Sequence, residues 1–111
     1  MSGRLDTITD WPDRFHEANY SLKTLAARCG VSPHQLARFL RRTTTLTAHE
    51  ILNDERQYRA LILVLTGKNL KSAASELGYH NAAHFSRDFK LFYGMSPDRL
   101  RSLLSKNVQS W

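Results

Sequence analysis

The chain has 111 residues, enough for one domain of ordinary size and too few to add a second one beside it. A composition of 41% hydrophobic and 10% aromatic residues is that of a globular rather than a disordered chain, and the longest apolar run, Ala60 to Leu65, is far too short to span a membrane. Sixteen Lys and Arg against ten Asp and Glu leave a net charge of +6, which favours a polyanionic partner.

In chain order, the punctuation is helical throughout. The stretch Met1 to Asp6 lacks the apolar segment of a signal peptide, so the expectation is a cytoplasmic protein, and Met1 to Ile8 reads as a loose end. Asp10 is placed to cap a short helix through about Ala18, with Trp11 and Phe15 on one side. Ser21 caps a second helix, Leu22 to Cys29, which Gly30 ends. The lone Cys29 has no disulfide partner and is expected to be a small buried apolar residue. Ser32-Pro33-His34-Gln35 is a strong start signal for a third helix, to about Arg42. Thr47-Ala48-His49-Glu50 opens the longest helix, about 48–65, and Gly67 follows it. A fifth helix covers Leu70 to Leu77 before Gly78. Asn81 caps a sixth, to about Tyr93 before Gly94. Ser96-Pro97 starts a last one, to about Ser105, with Lys106 to Trp111 loose. No stretch alternates convincingly enough for a strand.

The most informative feature is an internal repeat. Leu22-Lys23-Thr24-Leu25-Ala26-Ala27-Arg28-Cys29-Gly30 resembles Leu70-Lys71-Ser72-Ala73-Ala74-Ser75-Glu76-Leu77-Gly78, offset by 48 residues. Beyond the glycine the offset becomes 49, and Leu36, Arg38 and Leu40 match Phe85, Arg87 and Phe89. Ala26 and Ala74 are small where a second helix must cross closely. Gly30 and Gly78 follow where the chain must turn with positive φ. Leu36 and Phe85 then reach back into the angle between the helices. One such copy is easily a plain helical hairpin; two matching copies point to paired helix-turn-helix readers. The helix between them, at 18 residues, is about 27 Å long, against about 34 Å between successive major grooves on one DNA face.

These residues resemble the AraC/XylS family of bacterial transcription regulators from about Ser21 to Arg101. The more specific part runs from Gly78-Tyr79 through Phe85-Ser86-Arg87-Asp88-Phe89-Lys90 to Phe92-Tyr93-Gly94-Met95-Ser96-Pro97. Leu25-Ala26, Gly30-Val31-Ser32, Leu36-Ala37-Arg38, Arg56 and Arg59-Ala60 also fit. The chain departs from the pattern at Leu40, usually Phe, at Thr45, usually Gly, and at Ala73, usually Ile. Leu40 is a tolerable core exchange, Thr45 predicts an altered turn after the first reader, and Ala73 a thinner core under the second. The resemblance implies an all-α fold of about seven helices, with helix-turn-helix subdomains at about 21–43 and 70–93, a connector at about 48–65 and a C-terminal helix at about 97–105. The length suits the short MarA/SoxS-like members or the C-terminal domain of a longer one. The implied partners are double-stranded DNA and RNA polymerase, with a monomer permitted by two built-in readers and a dimer if the chain is part of a longer regulator.

By the same resemblance, His34, Ala37 and Arg38 on the first reader face bases, and they share one helical face. Arg38 can grip guanine with two hydrogen bonds, while Ala37 offers only a methyl group. On the second reader the matching positions are Ala82, Ala83, His84, Ser86 and Arg87; two alanines imply weaker sequence reading. Ser32, Arg41, Arg42, Lys71, Asn81 and Lys90 are phosphate candidates, which add affinity but little sequence information. No catalytic constellation is evident, and no cofactor or metal is expected: His80 and His84 are four residues apart, but nothing completes a site. Tyr58, Ile62 and Leu65 form a stripe on the connector that reads as core packing. Two other readings stay open: a helical adaptor that binds another protein, and the DNA-targeting part of a larger enzyme.

Overall fold

A computed structural model describes residues 5–109. Seven helices lie wholly within them, and no strand does: α1 (Trp11–Glu17), α2 (Leu22–Cys29), α3 (Pro33–Thr44), α4 (Ala48–Leu65), α5 (Leu70–Glu76), α6 (Ala82–Tyr93) and α7 (Pro97–Gln109). They divide into two compact units, one ending at Arg56 and the other beginning at Gln57, so the division falls within α4.

In the first unit α2 packs against α3. Leu25, Ala26 and Leu36 are buried at their crossing, as the small-residue pattern requires. The Ser21 hydroxyl accepts the Thr24 amide at 3.3 Å and starts α2. Gly30 ends it at φ 74°, and the Val31 amide reaches back five residues to the Ala26 carbonyl at 3.0 Å. Cys29 is buried, as expected. The Ser32–Gln35 capping box closes in both directions, at 2.9 and 3.1 Å. From there α3 continues to Thr44, two residues past the expected end at Arg42. The hydroxyls of Thr43 and Thr44 extend it by bonding back to the Phe39 and Leu40 carbonyls.

Three expectations fail in this unit. Asp10 does not cap α1; its carboxylate accepts from Arg14 Nε at 2.8 Å instead. Pro12 stands where a capping side chain would find a backbone donor, and Asp10 lacks the extended backbone of a cap. The segment before α1 is not loose where it is described: Leu5 is only 3% exposed, and the Ile8 amide closes a turn onto its carbonyl. Met1 to Arg4 lie outside the described residues. Finally, the turn after α3 is not altered. Thr45 adopts the left-handed conformation, φ 65° and ψ 0°, that Gly94 adopts after α6, and its amide bonds the Arg41 carbonyl at 2.9 Å.

In the second unit α5 packs against α6, and α6 against α7. Phe85 and Phe89 are fully buried, in an aromatic file that runs from Tyr79 through Phe85 and Phe89 to Tyr93 with centroids 4.6–5.9 Å apart. Gln57 is also fully buried: its side-chain amide nitrogen donates to the Tyr79 hydroxyl at 2.9 Å, and its backbone carbonyl accepts from the Tyr93 hydroxyl at 2.7 Å. With Gln57, Ala60 and Val64 facing the core, the Tyr58–Ile62–Leu65 stripe is not core packing. Tyr58 is 62% and Leu65 53% exposed. A buried polar side chain shifted the true inner face of α4 away from the apolar one. Asn69, unmarked in the sequence, caps α5 through the Lys71 and Ser72 amides. The final helix runs on to Gln109, so residues 106–109 are helical rather than loose, and 110–111 lie outside the described residues.

Candidate nucleic-acid interface

In each unit the second helix of the helix-turn-helix pair and its N-cap carry the candidate DNA residues, except Lys71 on α5. On α3 the buried face is Leu36, Phe39 and Leu40, and the remaining face bears His34, Arg38, Arg41 and Arg42, all exposed, with Ala37 half-buried between them. Arg38 Nη2 lies 3.0 Å from His34 Nε2. The guanidinium can only donate, so the imidazole accepts, and the contact steers Arg38 along the helix towards its N-terminal end. α3 carries three arginines and no acidic residue, so every formal charge on its outer face is positive. At its N-terminus the capping box uses the Ser32 and Gln35 amides and Pro33 has none, which leaves the His34 amide as the first-turn donor outside the box.

On α6 the buried face is Phe85 and Phe89, while Ala83, Arg87 and Lys90 are exposed and Ala82, His84 and Ser86 half-buried. The Asn81 side chain accepts the His84 amide at 2.8 Å. The Ala82 and Ala83 amides, next to small side chains, are outside that cap and suit an approaching phosphate. His84 leans edge-on to the Tyr79 ring, 5.2 Å between centroids, with its Nε2 4.0 Å from an Asp88 carboxylate oxygen. It is therefore engaged laterally, unlike His34. Arg87 and Lys90 against Asp88 leave α6 with less positive charge than α3. Lys71 is exposed in the first turn of α5, with its amide held by Asn69.

Sequence reasoning missed two features of these readers: the His34–Arg38 contact and the Asp88 beside His84. Both pairs sit four residues apart, which was the signal available. No group of three or more His, Cys, Asp or Glu residues that could hold a metal occurs among the described residues, and no helix there is long and apolar enough to cross a membrane.

Residues 25–102 match the family described as a helix-turn-helix domain. The chain is similar to the HTH-type transcriptional regulator GadX of Escherichia coli (strain K12), 33% identical over 79 residues, which are 70% of this chain and 28% of that protein. It is also similar to the HTH-type transcriptional regulator AdiY of the same strain, 29% identical over 79 residues, 71% of this chain and 31% of that one. The chain thus spans less than a third of the length of these relatives. Among solved structures it resembles a DNA-binding transcriptional dual regulator from Escherichia coli K-12, with a TM-score of 0.69 and 25% identity over 90% of this chain and 96% of that one. The fold is shared with the DNA-binding domain of AdpA, a global transcriptional factor solved in complex with a target DNA, with a TM-score of 0.70 and 21% identity over 84% of this chain and 86% of that one. Two helix-turn-helix units joined through one long helix, together with these matches, establish that the chain belongs to the AraC-type helix-turn-helix family.

Proposed function

We propose that the protein binds double-stranded DNA sequence-specifically, with α3 and α6 in adjacent major grooves, and regulates transcription in the cytoplasm without catalytic activity of its own. The observation that carries this reading is the outer face of α3, where His34, Arg38, Arg41 and Arg42 stand exposed on a helix without a single acidic residue. An adaptor would present apolar surface there. His34, Ala37 and Arg38 read bases on the first side, with Arg38 the principal contact. Ala82, Ala83, His84, Ser86 and Arg87 read more weakly on the second. Ser32, Arg41, Arg42, Lys71, Asn81 and Lys90 hold phosphates. RNA polymerase is the proposed protein partner, and a single copy suffices for one site because both readers are on one chain.

Selection from random duplexes, followed by footprinting, tests the reading. The expected result is two short conserved blocks centred about 10 base pairs apart. One block alone would remove the second reader from the proposal. No retention on random DNA or heparin at low salt would overturn DNA binding and favour the adaptor. Lys71→Ala should weaken specific and random DNA alike and flatten the salt dependence by about 0.9 in log–log slope.

A further inference from the structure

The first unit contains an open cavity of about 460 Å³, within the size range of small-molecule sites. Every residue lining it belongs to that unit. One wall is the inner side of the last two turns of α3, from Phe39 and Leu40 to Thr43 and Thr44. Trp11 and Phe15 of α1 join that wall, and Ile51 and Glu55 of α4 complete the lining with Leu5, Asp6 and Ile8. The Trp11 ring stacks on Phe39 with centroids 6.0 Å apart and tilts against Phe15 at 5.8 Å, so the aromatic part of the lining is one continuous cluster.

Its charged lining is out of keeping with the rest of the chain. In a molecule of net charge +6, the charged residues here are Asp6 and Glu55, with no Lys, Arg or His among the lining residues. Among the described residues neither carboxylate takes part in an ion pair, whereas Asp10 is paired with Arg14, and Glu76 with Arg59 and Lys68. Such a lining repels phosphate and is no part of a DNA surface. It matches a cation attached to a planar apolar body.

We propose that this cavity is a binding site for an organic amine with an aromatic body, held by Asp6 and Glu55 at its ammonium and by Trp11 and Phe39 at its ring. The occupant would lie directly behind the helix whose outer face carries Arg38. The site itself stands independently of the DNA reading. Its consequence, a ligand-dependent change in DNA affinity, rests on that reading, and by linkage DNA would change amine affinity by the same factor.

The probe is 2-phenylethylamine, with phenylacetate as its charge-inverted control, added to the full chain carrying Trp111→Phe so that Trp11 is the sole indole. The expected result is a saturable change in Trp11 fluorescence with the amine at millimolar concentration and none with the acid. Asp6→Asn combined with Glu55→Gln should weaken it about tenfold or more. Ile51→Phe, which fills the space while leaving both carboxylates, should also weaken it, with an unchanged circular dichroism spectrum as the check on folding. A linear, non-saturating response, an equal response to phenylacetate, or a response that survives both variants overturns the proposal. Amine binding without any retention on DNA would leave the site intact and sink only the regulator reading; DNA binding without amine binding would do the reverse.

Discussion

The two units solve the same helix-ending problem with different residues. In the second, the three left-handed positions among the described residues, Gly67, Gly78 and Gly94, are glycines. In the first, Gly30 is joined by Asn19 at φ 53°, Tyr20 at φ 58° and Thr45 at φ 65°. The hydrogen bonding is equivalent: the Tyr20 amide reaches back to Phe15 as the Tyr79 amide does to Ala74, and Thr45 bonds Arg41 as Gly94 bonds Lys90. What differs is strain, since a non-glycine residue in this region costs about 1–3 kcal/mol and persists only where its surroundings over-determine it. Tyr20 shows what does so: its side chain is buried, with the Arg56 guanidinium 5.6 Å from the ring centroid and His16 Nδ1 3.3 Å from the hydroxyl. The more cationic reader therefore sits on the more strained scaffold. Conserved hydrogen-bond geometry does not require conserved residues, and the difference appears in stability rather than in shape.

Truncating the residue that fills each helix-turn-helix angle is the harshest way to break the comparison. Phe85→Ala should destabilise by about 3–5 kcal/mol and Leu36→Ala by about 2–5 kcal/mol, read from denaturant midpoints. Both side chains are fully buried, so a loss below about 1 kcal/mol in either would show that its unit is not organised around that residue. Next come the readers. Arg38→Ala should lose about 1–3 kcal/mol of binding and relax one base position. Arg87→Ala, on the less charged helix, should lose less; titrations against sites substituted one base at a time separate the two. A uniform loss across all sequences would demote Arg38 to a backbone contact.

Exchanging the helix-ending residues sharpens the strain argument. Thr45→Gly should stabilise by about 1 kcal/mol, and Gly94→Thr should destabilise by at least as much. A Cβ at Gly94 would meet nothing within 4 Å, so that loss is conformational rather than steric. Equal stability of both variants with the parent, by thermal melting, would mean that the left-handed turns store no strain. The smallest effect is electrostatic. Burial pushes the Glu76 carboxyl up, but hydrogen bonds from Arg59 and Lys68 overcome this and hold it below its ordinary value. Its contribution is therefore present above the unfolded-state value and is lost as pH falls through the depressed one. Glu76→Gln should cost less than about 1 kcal/mol near neutral pH, because the partners are well exposed. That difference should vanish in acid; a gap that persists there would assign it to packing.

Most of the fold was legible because its punctuation is local. Ser21, Ser32, Thr47 and Asn81 cap helices within three residues of themselves, and Gly30 and Gly78 turn where the repeat requires. What escaped depended on distant partners or on competing uses of one side chain. Asp10 had a choice between a cap and Arg14. The inner face of α4 was hidden because its buried Gln57 finds its partner 22 residues away. Asn69 lacked the glutamate three residues on that marked Thr47. Leu5 and the cavity beside it arise from four separate segments, which no periodicity encodes. The candidate base-facing positions came from family resemblance, and their side-chain partners became visible only with coordinates.

Arg56 and Gln57 are neighbours in one helix with opposite allegiances. Arg56 covers Tyr20 and bonds the Asn19 carbonyl, while Gln57 is locked to Tyr79 and Tyr93. Adding one residue between them would turn the α4 residues on one side by about 100° around the helix axis, so one of the two could no longer face its own partners. A one-residue insertion at that peptide bond should therefore cost more stability than one in the loop after α4, where Gly67 and Lys68 are exposed.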